Sequence, residues 1–192
     1  MIPQETTEEL VQTIHEMAAK SFQRHILKDE GGTDILHSWS CRGPGTGIYA
    51  FRVISAPGLL IVHGDVGEGI WQVSDRDSVR WLRGAFKSRD YVLGKLVATK
   101  DPPREFKPQD ALRYLDEMMF KEGRLSEEHY EDLRRAALTD WEDPGTAFAR
   151  EWYEVGLDDP PRCQGPTSQA LWLYECLCWF IQALPTPLKE TP

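Results

Sequence analysis

The chain has 192 residues, 41% of them hydrophobic and 10% aromatic, with seven Trp and a formal net charge of −9. That length fits one domain or one domain with a helical extension, and the apolar content argues against a disordered body and against two fully independent cores. Residues 1–100 hold 12 basic and 12 acidic side chains and residues 101–192 hold 10 and 19, so the excess lies wholly in the second half; it would repel phosphate and disfavours a general nucleic-acid binder.

In chain order, Thr6 and Glu9 make a capping box, and Leu10, Ile14, Met17 and Ala18 recur at helical spacing, which predicts a first helix to about Ile26. Asp29-Glu30-Gly31-Gly32 predicts a loop. Ile35–Cys41, Ile48–Ile54, Leu59–His63 and Gly69–Val73 are short β-branched or aromatic runs bounded by Gly, Pro and Asp, which predicts an antiparallel meander of about four strands. Pro57-Gly58 fits the centre of a type II turn. Within the second run Tyr49, Phe51 and Val53 alternate with Ala50, Arg52 and Ile54, giving one apolar and one mixed face. Ser74 or Asp75 caps a helix whose stripe is Val79, Leu82 and Phe86, and Ser88 caps a short one through Leu96. Asp101-Pro102-Pro103 then breaks the chain.

The second half reads as helices: Pro108 to about Glu122, Glu127 to about Leu138 behind Ser126, Asp143-Pro144 to Gly156, and a last one from Thr167 or Ser168 to Leu184. That last helix is apolar on nearly every side and requires cover from its own fold or from a second subunit. Its fifteen residues from Ala170 include Glu175 and Gln182, too short and too polar for a bilayer span of about 20 apolar residues. The reading is therefore an α+β protein: residues 1–100 with a helix and a meander, an acidic helical region over 104–184, and a disordered tail over 185–192. Cys41, Cys163, Cys176 and Cys178 contain no C-x-x-C pair and no basic-then-apolar leader opens the chain, which predicts reduced thiols and a cytoplasmic location.

Three constellations carry candidate chemistry. His63, Asp65 and Glu68 gather on one glycine-rich turn, where they read either as ligands of a divalent metal or as a plain hairpin connection. Arg42 opens a glycine-rich loop, and Lys95 follows Tyr91 by four residues; the two read as holders of an anion or as solvated surface charge. Glu127, Glu128, Glu131 and Asp132 line the solvent side of one predicted helix, while Trp172 and Trp179 form an aromatic stripe on the last. These six are the candidate interface residues. No cofactor is expected.

His37-Ser-Trp39-Ser-Cys41-Arg-Gly-Pro-Gly45-Thr-Gly-Ile-Tyr49-Ala-Phe51-Arg-Val53, then Ala56-Pro-Gly58-Leu, Gly64-Asp-Val-Gly-Glu68 and Asp90-Tyr-Val-Leu-Gly94-Lys95 together resemble uncharacterised proteins encoded by tailed phages and prophages of proteobacteria, over about residues 35–96. The resemblance implies a setting, an infected bacterial cell, and no reaction. By analogy with other small acidic phage proteins it suggests an accessory factor that binds a host protein, in its concrete form an anti-CRISPR-like inhibitor whose acidic face mimics nucleic acid. The expected partner is a host protein, such as a basic nucleic-acid-binding one, with no direct contact to nucleic acid or membrane. Two further expectations stand beside it: a small metal-dependent hydrolase or nucleotide-processing enzyme using His63, Asp65 and Glu68, and an oligomeric phage assembly component joined through the last helix.

Overall fold

The computed structural model describes residues 6–33, 35–100, 102–161 and 163–185. The fold is α+β. Helix α1 spans Thr7–Phe22. Its expected capping box is formed, with the Thr6 backbone N–H donating to Glu9 at 2.9 Å and the Glu9 N–H to the Thr6 hydroxyl at 3.3 Å. It stops four residues before Ile26, because Ile26–Thr33 is strand β1. The predicted loop at Asp29–Gly32 is thus the end of an edge strand. A bulge makes this consistent: Asp29 pairs with Trp39 and Gly31 with Ser38, leaving Glu30 extra, and Gly31 takes a φ of 79° while its N–H donates to the Asp29 carboxylate at 2.7 Å. At Gly32 a Cβ would strike the Leu36 carbonyl, so the glycines permit the close approach of two backbones.

Strands β2 (Leu36–Arg42), β3 (Phe51–Ala56), β4 (Leu59–Gly64) and β5 (Gly67–Gln72) follow. Gly58 in the β3–β4 turn has a φ of 72°, as a type II turn requires. Helices α2 (Ser78–Ala85) and α3 (Arg89–Leu93) then lead to β6 (Leu96–Thr99). The N-cap of α2 is Asp77, whose side chain accepts from the Arg80 N–H. The sheet has six strands instead of four, each antiparallel to the next and in sequence order. Leu96, expected to close a helix, begins β6 and is buried opposite Trp71.

Pairing fixes the two faces. One carries Trp39, Cys41, Phe51, Val53, Leu60, Val62 and Trp71, and the other Ser40, Arg52, His63, Glu68 and the row Ile54, Ile61 and Ile70. The helices cover the first face: Phe22 of α1 meets Phe51, Ser78 of α2 bonds Ser55 at 2.8 Å, and the last helix, α7 (Ser168–Ala183), brings Phe180 against Trp39. Of its residues Ala170, Leu171, Leu173, Cys176, Leu177, Phe180 and Ile181 are buried, so this unit supplies the cover that an apolar helix requires.

The other elements are β7 (Arg104–Phe106), α4 (Pro108–Asp116), a π-helical turn (Glu117–Lys121), α5 (Glu127–Ala137), α6 (Pro144–Glu154) and β8 (Gln164–Pro166), which pairs with β7. Their core is Ala111, Leu115, Met118, Leu133, Phe148 and Trp152 with smaller neighbours. The chain divides into two compact units. The sheet unit is Val11–Pro103 with the residues from Thr167, and the acidic unit is Arg104–Pro166 with the residues up to Leu10. The division falls at Pro103, beside the predicted break, but α7 groups with the sheet instead of with the 104–184 region, because its apolar surface matches the sheet face. Of the predicted tail only Pro185 is among the described residues. Among those residues no helix is long and apolar enough to cross a membrane.

All four cysteines are free, and burial pushes the Cys41 and Cys178 thiols up to about 12 and Cys163 up to about 11. Around pH 8 the native protein should therefore react with iodoacetamide far more slowly than the chain unfolded in guanidinium, as counted by mass spectrometry; rapid labelling of the native state would contradict this burial.

Candidate protein-binding surface

Charge separates by unit. The acidic unit holds 9 basic and 19 acidic residues, a net −10, whereas the sheet unit holds 13 and 12, a net +1. The segregation is sharper than the sequence halves suggest, since the first ten residues, with Glu5, Glu8 and Glu9 and no basic side chain, group with the acidic unit.

The predicted acidic row is real but partly compensated. Glu127 and Glu128 occupy the first turn of α5 behind the Ser126 cap, whose hydroxyl accepts from the His129 N–H at 3.2 Å, so both carboxylates face the positive end of the helix dipole. Glu131 pairs with Arg134 at 3.4 Å and Asp132 with Arg135 at 3.0 Å. Exposed pairs of this kind contribute little stability, but they halve the charge of that row. The uncompensated acids lie more widely: Glu127, Glu128, Asp140, Glu151, Glu154, Asp158 and Asp159 have no ion pair among the described residues.

Three exposed aromatic side chains share this unit. Trp141 is 75% exposed, Phe120 on the π-helical turn 72% and Tyr153 on α6 56%. Trp141 belongs to the connection between α5 and α6, outside the helical register of either, and α6 fills the core with Phe148 and Trp152 instead. Beside it Glu142 takes a bidentate grip from Arg150 at 2.7 and 2.9 Å, which holds its carboxyl below the usual range. Asp143 caps α6 by accepting from the Thr146 N–H at 2.7 Å. Trp141 was not among the sequence candidates. Its signal was an apolar residue between acids in Asp140-Trp141-Glu142-Asp143-Pro144, with no apolar partner needing it for a core. A large aromatic left in water among carboxylates is suited to stack on arginine or lysine from a partner.

The other sequence candidates are placed differently. Trp172 stacks on Tyr49 at 5.2 Å with an 11° tilt, and Trp179 meets Phe22, His25 and Phe51 at 6.3, 5.9 and 5.9 Å. Both are half-buried in an aromatic cluster within the sheet unit, so much of their apolar area is spent on the fold.

His63 and Glu68 are cross-strand partners on β4 and β5, with Nδ1 and Oε1 2.7 Å apart and side chains 63% and 67% exposed. Asp65 sits in the turn between them, its N–H bonded to the Ala50 carbonyl at 2.9 Å. Among the described residues no group of three or more His, Cys, Asp or Glu is disposed to hold a metal ion. The expected ligand set is therefore not assembled, because alternation across the hairpin makes two of its members a surface pair and leaves the third in the turn. Asp65→Ala and His63→Ala should each change stability by less than about 0.5 kcal/mol, and added zinc should not raise the melting temperature of the wild type. A zinc-dependent rise lost in either variant would restore the metal reading.

Arg42 and Lys95 do not share an anion site either. Arg42 ends β2 at one end of the sheet, and Lys95 precedes β6 at the other, where its carbonyl accepts from the Gln72 N–H at 3.1 Å. Four strand spacings, roughly 19 Å, separate them laterally as well. The expected neighbour of Lys95 is present: its ammonium lies 5.5 Å from the centre of the Tyr91 ring, although α3 ends at Leu93.

No family model, curated protein or solved structure matches this chain.

Proposed function

We propose that the protein acts by binding another protein, with its acidic unit presented to a basic surface of the kind that grips nucleic acid. The observation that carries this reading is the net −10 of one compact unit beside the +1 of the other, together with a Trp141 left 75% exposed among carboxylates. Negative potential steers a basic partner in and excludes nucleic acid from the same surface, and an exposed aromatic supplies the apolar contact that charge alone lacks. Extended to the setting implied by the phage-protein resemblance, the role is that of an anti-CRISPR-like inhibitor in the cytoplasm of a bacterial host. The acids that would mimic a phosphate backbone are Glu127, Glu128, Glu151 and Glu154 with the Asp158-Asp159 pair, none of which has an ion pair among the described residues.

A competition assay tests this. Guide-loaded RNA-directed defence complexes from a bacterial host are mixed with the protein before labelled target DNA is added. Inhibition of DNA binding that weakens with salt supports the reading, and unaffected DNA binding at every protein concentration rejects the anti-CRISPR form of it.

A further inference from the structure

The sheet unit contains a groove of about 260 Å³ between α1, α7 and the segment that follows α2. Four aromatic side chains line it, Phe22, Phe86, Tyr174 and Trp179, and a single carboxylate, Glu175. The groove exists because α1 presents small side chains, Ala18 and Ala19, toward this stretch of α7.

Glu175 is the unusual member. Its side chain is only 14% exposed, and its partner among the described residues is His15, whose Nδ1 lies 3.2 Å from both carboxylate oxygens. One imidazole N–H leaves most of the acceptor capacity of a carboxylate unused. A little-exposed carboxylate in a groove that aromatic side chains also line is an arrangement suited to an organic cation, since ring quadrupole and carboxylate attract the same charge. Turnover is not what the other groups suggest. The Tyr174 hydroxyl donates to the Phe86 carbonyl at 2.5 Å and the Cys178 thiol lies 4.0 Å from the same oxygen, while burial keeps that thiol protonated. Lys87, which also lines the groove, is exposed, so water and salt weaken its repulsion of a bound cation without abolishing it.

We propose that this groove binds a small organic ammonium ion, held by Glu175 against the aromatic rings. The site is independent of the acidic unit and of the protein-binding reading.

The experiment titrates the whole protein with choline and, separately, with 3,3-dimethylbutan-1-ol, its neutral isostere, following the Trp179 indole N–H by NMR. Choline should give a saturable shift in the millimolar range, and the alcohol should bind about tenfold more weakly. Glu175→Gln should reduce choline to the level of the alcohol, and Lys87→Ala, an exposed change that leaves the fold intact, should tighten choline about twofold by removing a like charge. No saturable shift, equal affinity for the two probes, or unchanged choline binding in a Glu175→Gln protein with native circular dichroism would overturn the assignment. Should Glu175→Gln not fold, the Lys87→Ala result decides, and weaker choline binding there rejects the site.

Discussion

Truncating Trp152 to alanine is expected to lower stability by about 3–5 kcal/mol, the cost of emptying a large buried site. Trp152 is 3% exposed, with its ring centre 5.7 Å from that of Phe148 and 5.9 Å from that of Tyr114. It also holds the end of α6 in place. Gly156 takes a φ of 77°, the Leu157 N–H returns to the Trp152 carbonyl at 3.3 Å, and the Trp152 indole N–H donates to the Asp158 carbonyl. The ring thus anchors both the core of the acidic unit and the turn that carries Asp158 and Asp159. Trp152→Phe keeps most of the packing and loses the donor, so its cost should be only about 1–2 kcal/mol. Urea unfolding followed by circular dichroism measures both, and equal losses in the two variants would contradict this division between packing and hydrogen bonding.

Trp141→Ala should leave the unfolding midpoint within error of the wild type and weaken a basic partner about 30-fold, as loss of a buried interfacial tryptophan does. The two halves of this expectation have one cause. A side chain 75% exposed contributes little to the fold, and the same area becomes available to a partner. Calorimetric titration of the partner into each protein, beside a thermal melt, separates binding from folding. A destabilised variant with unchanged affinity would reverse the assignment and make Trp141 a structural residue.

Much of the helical pattern was legible because it rests on local chemistry. Ser126, Asp143 and Thr167 cap α5, α6 and α7 where their hydroxyl or carboxylate could be expected, each accepting from a backbone N–H three residues on. Strands β2 to β5 were visible as β-branched runs, and the Arg52–Ile54 alternation foretold which face meets the helices. What was hidden depended on distant partners. β1 reads as a loop because Gly31 and Gly32 suit a bulge only once β2 lies alongside, and β6 has four residues whose strand identity comes from pairing with β5. The return of α7 to the sheet was equally invisible, since an all-round apolar helix names no particular neighbour. For the site, spacing suggested that His63, Asp65 and Glu68 converge; cross-strand pairing does bring His63 and Glu68 together, but Asp65 stays in the turn and, among the described residues, no ligand set of three forms. The carboxylates of α5 were identified correctly as exposed or nearly so, but that Arg134 and Arg135, three residues on, answer two of them emerges only from the structure. Trp141 was missed because an aromatic outside any periodic stripe offers no pattern to detect.

The measurement closest to the central claim is the affinity of the basic partner, across a range of salt, for the protein in which Glu127, Glu128, Glu151 and Glu154 are all replaced by Gln. A control with the same number of acids removed from the sheet unit, at Glu16, Asp65, Glu68 and Asp90, accompanies it. Concentrated negative potential on the acidic unit predicts that the first variant loses about tenfold in affinity together with most of its salt dependence, while the control stays near the wild type. Equal losses in the two variants, or none in the first, would contradict the account.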